Sequence, residues 1–417
     1  MGQTTVHNPD RYMVDLRQIL SQGKKRIGLL VGAGAPVSVR VDEQGQIDES
    51  GDPIIPDVAR LTTSVINSLG DEDKEVLDAL LPELGDRPNI ETILTRIRQL
   101  SQAIGSAKIH GLDGDGYDEL ATRICEHIGN VVAAKLPAGP SPYTELVTWI
   151  GGTHREHPVE IFSPNYDLLL EEAFERALLP YFDGFAGSHK PFFDPTSISS
   201  DSMPPRWSRL WKIHGSLGWD VLGSTVIRTG QRNATKLIYP DHLKYDQITR
   251  QPYSALFERL REFLTTPDSL LICSGFSFFD AHITAVLDEA LAANTHTAVL
   301  AFQYRSLADE KYAVDLAMRR PNMSVYAQDG AVIFGMQGKW QPGQPPSDEW
   351  MRIRSTFWDA SAHGGSFILG DFAKLARFFA LSQATEFRNR TNETEGSGSE
   401  KASVDEAEKP GDDDAKS

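Results

Sequence analysis

The chain has 417 residues, enough to bury a large core in one elaborate domain or two, and its 40% hydrophobic and 24% charged content is ordinary for a soluble globular protein. A formal net charge of −17 argues against tight nucleic-acid binding by this chain alone, because free-standing nucleic-acid binders carry a basic excess. Two cysteines, Cys125 and Cys273, cannot build a four-cysteine zinc module or a disulfide framework, and no apolar run approaches the roughly 20 residues that span a bilayer. Met1 to Arg11 is polar, so no signal peptide is expected and a reducing cytoplasm fits.

Pro9 to Ser21 places Tyr12, Leu16, Ile19 and Leu20 at helical spacing. Ile27 to Val31 is a short apolar run, the pattern of a strand buried on both faces, and it stops at Gly32 and Gly34. Two glycines one residue apart allow a tight turn with exposed N–H groups that a phosphate can approach. The dehydrogenase fingerprint needs a third glycine where Val37 stands, and the P-loop pattern is missing here too. Val41 to Asp57, rich in Asp, Glu, Gly and Pro, reads as a long surface loop that could cover a nucleotide. Asp57 is a candidate N-cap for a helix over 58–69. From Leu61 to Ile150 apolar residues recur three and four apart, which predicts a helical insertion between two strands.

Val159 to Ser163 is the second strand; Pro164-Asn-Tyr-Asp167 follows it, then a helix over 168–178. Tyr181 to Pro205 reads as a loop region. Leu210 to Ile213 is a third strand, ending at His214-Gly-Ser216. A hairpin-like region holds Trp219 and Thr225 to Arg228, followed by the short run Leu237 to Tyr239 and a helix over 254–264. Ser269 to Cys273 is a fourth buried strand, ending at Ser274-Gly275, and Phe276 to Asp280 opens a helix over 281–292. Thr297 to Phe302 and Met323 to Ala327 are the fifth and sixth strands, and Phe357 to Leu381 is mostly helical. Thr391 to Ser417 is polar, acidic and without aromatics, the composition of a disordered tail.

Strands separated by helices predict a parallel sheet with helices on both faces, a Rossmann-like α/β fold. The layout expected is an N-terminal segment over 1–22, the Rossmann-like domain over 23–60 and 151–335, the helical insertion over 61–150, a C-terminal segment over 336–390 and the tail over 391–417. Ligands of such sheets sit at the carboxyl ends of the strands. Gly32, Gly34, Asn165, Asp167, His214 and Ser274 all follow strand ends, so one shared crevice is expected.

Four pieces in this order, Gly32-Ala-Gly-Ala-Pro36, Ser163-Pro-Asn-Tyr-Asp167, Lys212-Ile-His-Gly-Ser216 and Ser274-Gly-Phe-Ser-Phe-Phe-Asp280, resemble the sirtuin-like family. The chain is most similar to prokaryotic sirtuin-like proteins of anti-phage defence. The resemblance implies NAD⁺ as ligand, cleavage of its nicotinamide–ribose bond and no metal. It places Asn165 near the ribose and the reacting water, Asp167 by the nicotinamide pocket, and His214 as catalytic base, a role that suits a side chain titrating near neutral pH. It also implies that Gly32 and Gly34 cradle the pyrophosphate and that Ser274 and Gly275 hold the adenosine side. Ala33, Ala35, Asp57 and Ser277 complete the cofactor-binding set. Asp280 either joins the site or caps the following helix. Phe276, Phe278 and Phe279 are expected to pack rather than to stack on adenine.

Protein-deacylating relatives use a four-cysteine zinc module that this chain cannot form, so water is the expected acceptor. Ala35-Pro36 also stands where many relatives carry Ala-Ser. The function implied is an NAD⁺ glycohydrolase that depletes NAD⁺ in anti-phage defence; the alternative is a non-catalytic subunit that senses NAD⁺ or ADP-ribose. The resemblance further implies a homo-oligomer, partnered by a HerA-type DNA-translocating ATPase, with no membrane association.

Overall fold

The computed structural model describes residues 5–85, 88–200, 203–223, 225–232, 251–345, 347–362 and 364–382. The expected run at Leu237 to Tyr239 and the acidic tail lie outside these residues.

The architecture is a ten-stranded sheet with helices on both faces, the α/β class the sequence predicts. Six parallel strands make its centre, in the spatial order Ser208–Lys212, Glu160–Ser163, Arg26–Val31, Ser269–Ser274, Ala298–Phe302 and Met323–Tyr326. Their side chains alternate between two cores. Leu29, Val31, Ile161, Leu210 and Ile272 join one; Leu30, Phe162, Trp211, Leu271 and Cys273 join the other. A strand covered on both faces needs apolar residues at successive positions, which is why Ile27 to Val31 and Leu270 to Cys273 read as apolar runs. The first core is closed by Pro9–Ser21, Pro142–Gly152, Leu169–Arg176 and the helix over 372–382. The second is closed by Tyr253–Thr265, Ala281–Ala293 and Lys311–Arg319.

The sheet extends further than expected. Gly330–Ile333 and Met336–Trp340 add an antiparallel hairpin, and Val6–His7 pairs in parallel with Met336–Trp340. The expected boundary at 335 falls in the turn of this hairpin. At the opposite edge Tyr181–Phe182 pairs with Ser208–Lys212. The region 181–205 is therefore more than a loop: Phe185–Ala186 and Phe192–Phe193 join Trp219–Leu222 and Thr225–Arg228 in a second, four-stranded sheet. The long loop at 41–57 is likewise a small hairpin, Arg40–Val41 against Asp52–Pro53, tightened where Asp42 Oδ1 accepts from the N–H groups of Gln44 and Gln46.

The helical insertion comprises Val58–Ser68, Asp71–Leu80, Ile90–Ile104 and Gly114–Val132. Asp57, Asn89 and Asp113 start three of these helices by accepting backbone N–H bonds as N-caps. Within 357–381, the stretch expected to be mostly helical, the helix begins only at 372; before it Trp358–Asp359 pairs with Ser366–Phe367 across Gly364 and Gly365, both at positive φ. No helix among the described residues is long and apolar enough to cross a membrane.

Candidate functional site

The strand order reverses beside Arg26–Val31. From there the chain builds Glu160–Ser163 and Ser208–Lys212 on one side, then crosses to Ser269–Ser274 on the other. Ligands of open α/β sheets bind beyond the carboxyl ends of the strands at such a switch point. The four motif-bearing segments leave four neighbouring parallel strands there.

Two turns meet at the centre. Gly32 N donates to Ser274 O at 3.0 Å, Gly34 N to Gly275 O at 2.8 Å, and Ala35 N to Gly32 O at 3.0 Å. A Cβ on Gly32 would lie 2.4 Å from Gly275 O, and one on Gly34 would lie 2.7 Å from Gly275 Cα. Gly275 has φ +64, and a Cβ there would lie 2.5 Å from Ala35 N. These glycines are thus required by backbone meeting backbone. The expectation of open N–H donors for a phosphate is corrected at Gly32, Gly34 and Ala35, whose N–H groups donate within the chain. The outer surface of the turn, Ala33 and Gly34, is exposed and nearly free of side chain.

Asn165 is half-buried and ties the next strand end to this turn. Its Nδ2 donates to Gly32 O at 3.0 Å, an orientation of the amide that this acceptor selects. Its backbone N donates to Ser163 Oγ at 3.2 Å, and that hydroxyl donates to Val31 O at 3.0 Å. Ile213 N donates to Ser163 O at 2.9 Å, and Leu217 N to Tyr166 O at 2.9 Å, so the histidine turn is fastened to the asparagine turn. Asp167 is buried. Its Oδ1 accepts from Leu169 N at 3.0 Å, where the helix Leu169–Arg176 begins. Its main-chain oxygen accepts a hydrogen bond from Lys212 Nζ.

Lys212 is 2% exposed and also lies 3.6 Å from Glu171 Oε1. Burial lifts the Glu171 carboxyl to about 7, with the Lys212 ammonium opposing the rise. Glu171 Oε2 has no hydrogen-bond partner among the described residues. A second buried ionic group braces the same strands from below: Glu160 accepts from Arg259 Nε at 2.8 Å, Arg259 Nη2 at 2.6 Å and Trp211 Nε1 at 2.8 Å.

His214 is 5% exposed, with the Phe257 ring centred 6.2 Å away. Its Nε2 lies 3.3 Å from Asp280 Oδ2, within ion-pair reach but without hydrogen-bond alignment. Asp280 Oδ1 accepts from His282 N at 2.9 Å and Ile283 N at 3.0 Å, capping the helix Ala281–Ala293. Asp280 therefore caps its helix through one oxygen and faces His214 with the other. A closed ring of contacts results: Gly32 to Asn165, the asparagine turn to the histidine turn, His214 to Asp280, and the 274–280 segment back to Gly32 and Gly34.

The remaining expected residues sit at the margins of this ring. Ser277 is exposed, and its Oγ accepts from Phe279 N at 3.4 Å. Asp57 is exposed and caps Val58–Ser68 through Arg60 N at 2.9 Å. Ser274 holds the glycine turn by its carbonyl. Its hydroxyl, buried and without a hydrogen-bond partner among the described residues, lines an apolar void of about 10 Å³ with Val31, Leu146 and Phe372. Phe276 and Phe278 are buried against each other at 4.9 Å, whereas Phe279 is exposed and meets Tyr312 edge-on at 5.5 Å. Lys212 entered the sequence reading only as part of the histidine motif, and Glu171 did not enter it. A lysine beside Leu210, Trp211 and Ile213 in a buried strand was the available signal, since buried lysines need partners. Among the described residues no group of three or more His, Cys, Asp or Glu could hold a metal ion.

Polar side chains gathered around the ends of four adjacent parallel strands, at the switch point of a two-faced sheet, define a Rossmann-like protein. Residues 159–320 match the model of the SIR2-like domain. That match supports a sirtuin-like family and implies NAD⁺ involvement. The matched stretch contains Asn165, Asp167, Lys212, His214, Ser274 and Asp280; the glycine turn and the helical insertion lie outside it. No curated protein matches the chain.

Proposed function

We propose that the chain is an NAD⁺ glycohydrolase, converting NAD⁺ and water to ADP-ribose, nicotinamide and a proton. The observation that carries this reading is the ring joining Asn165 and His214 to the glycine turn at the switch point, with both residues inside the stretch that matches the SIR2-like domain. The residues suit the ribose end of a dinucleotide. A half-buried amide and a histidine facing a carboxylate can orient hydroxyl groups and accept a proton. At the pyrophosphate end the fit rests on the bare, exposed surface of Ala33 and Gly34 and on the exposed Ser277 hydroxyl.

Cleavage of the glycosidic bond leaves positive charge on the ribose, and water supplies the new oxygen. His214 takes the proton of that water. Asn165, its Nδ2 held by Gly32 O, keeps Oδ1 in one place to orient the water or a ribose hydroxyl. Burial of His214 and Asp167 lowers the local dielectric and strengthens each polar contact made there. With two cysteines in the whole chain, a four-cysteine module cannot shape an acyl-peptide cleft, which favours water as acceptor. In the cell we propose a cytoplasmic effector of anti-phage defence, acting as a homo-oligomer with a HerA-type ATPase.

The test is incubation of the full-length chain, alone and with the product of its neighbouring gene, with NAD⁺ while nicotinamide and ADP-ribose are quantified by chromatography. Equimolar release of the two products is expected. NAD⁺ binding with no turnover in either assembly would favour the sensing subunit instead.

A further inference from the structure

We propose that Asp280 is the positioning residue for His214: one carboxylate starts the helix Ala281–Ala293 through Oδ1 and, through Oδ2, orients the imidazole and favours its protonated form. This rests on the reading of His214 as the base.

The geometry of Asp280 is fixed before any substrate arrives. Two backbone N–H groups hold Oδ1, so the second oxygen can point in few directions, and it lies 3.3 Å from His214 Nε2. The segment leading to it is pinned as well. Phe276 O accepts from Gln303 Nε2 at 3.0 Å, Phe278 O from Thr284 Oγ1 at 3.0 Å, and Phe278 holds φ +59 with its ring buried. An imidazole that accepts a proton inside the protein becomes a cation at a site that is nearly closed to water. A carboxylate within about 4–6 Å offsets that cost. The helix N-terminus, by contrast, carries partial positive charge that would oppose an imidazolium. The capping carboxylate reverses the sign of that end.

Among the described residues, the other groups placed near the imidazole do not supply this charge. From Tyr253–Thr265 come the Phe257 ring and Tyr253, whose hydroxyl would lie 3.2 Å from a Cβ on Gly215 and whose phenol burial keeps neutral. From its own strand Lys212 is directed to Asp167 and Glu171, and His282 follows Asp280 at the helix start. In the step itself the water proton passes to the ring and the water oxygen bonds to the ribose as nicotinamide leaves. Asp280 stays ionised throughout.

Two substitutions separate the cap from the charge. Asp280→Asn keeps a good N-cap but loses the carboxylate; Asp280→Glu keeps the carboxylate but caps poorly. The experiment uses the full chain with ¹³C-labelled histidine, following the His214 titration by NMR alongside thermal melting and the pH profile of NAD⁺ cleavage. In Asp280→Asn the melting temperature should stay near wild type, the His214 midpoint should fall by about one pH unit or more, and the acidic limb of kcat/KM should move to lower pH with it. In Asp280→Glu the melting temperature should fall while the midpoint stays near wild type. Should the asparagine variant fail to fold, Asp280→Ser offers a cap hydroxyl without charge and carries the same expectation. A His214 midpoint unmoved in a folded asparagine or serine variant overturns the proposal. The midpoint decides this even without turnover, whereas turnover unaffected by loss of His214 would remove the NAD⁺-cleavage reading and leave the pair to be judged by the midpoint alone.

Discussion

His214→Ala is expected to slow NAD⁺ cleavage by about 10²–10⁴-fold, the range for losing a positioned general base. The loss should fall on kcat, because the proton is taken only as the water attacks. NAD⁺ affinity should change little, since the ring is almost closed to solvent and most of a dinucleotide would lie elsewhere. Asn165→Ala should differ in kind. It removes both the group proposed to orient the reacting oxygen and the 3.0 Å bond to Gly32 O that joins two strand ends, so KM should rise as kcat falls. Nicotinamide release at a series of NAD⁺ concentrations, with circular dichroism to verify the fold, measures both. Wild-type turnover in a folded His214→Ala variant would remove the histidine from the reaction.

Glu171 is expected to make the chain less stable as pH rises from the acid side towards neutrality. Burial lifts its carboxyl from an ordinary value of 4.5 to about 7, so between these values the folded chain holds a proton that the unfolded chain has released. Stability from this group is complete below pH 4.5 and is lost as pH rises through 7. Glu171→Gln keeps the shape and an oxygen for Lys212 but cannot ionise. Between pH 5 and pH 8 its stability should therefore gain on wild type by about 2–3 kcal/mol. Urea unfolding of both chains across that range measures the difference. Parallel curves would mean that Lys212, 3.6 Å away, fully offsets the cost of burying the carboxylate.

The central fold was legible because its strands are covered on both faces. Ile27 to Val31 and Ser269 to Cys273 are apolar at nearly every position, and the structure pairs them side by side. The edges were not legible. Val6–His7, Tyr181–Phe182 and Phe192–Phe193 are two-residue strands, too short for any periodicity, and they exist because a neighbouring edge offers pairing. Met336–Trp340 has only two buried residues, so nothing local marks it as a strand.

At the site the order of the motif pieces could be read, but their mutual contacts could not. A strand followed by Gly-x-Gly gives the same signal whether a phosphate or another backbone approaches. Here Gly275 approaches, which accounts for Gly32 and Gly34 without any ligand. The pairing of Lys212 with Asp167 spans 45 positions, and that of His214 with Asp280 joins different strand ends, so neither leaves a local pattern. Asp280 shows how one residue can satisfy a local rule and a distant one together. Its capping role was visible from the helix that follows, while its second oxygen had a destination only the fold could reveal.

The proposed cleavage rests on one claim, that NAD⁺ binds at the switch point. Its most direct test is a crystal structure of the full chain carrying His214→Ala, grown with NAD⁺. The nicotinamide ribose should lie beside Asn165, with the pyrophosphate over the exposed surface of Ala33 and Gly34. Ordered NAD⁺ bound away from these strand ends, or none at saturating concentration, would contradict it.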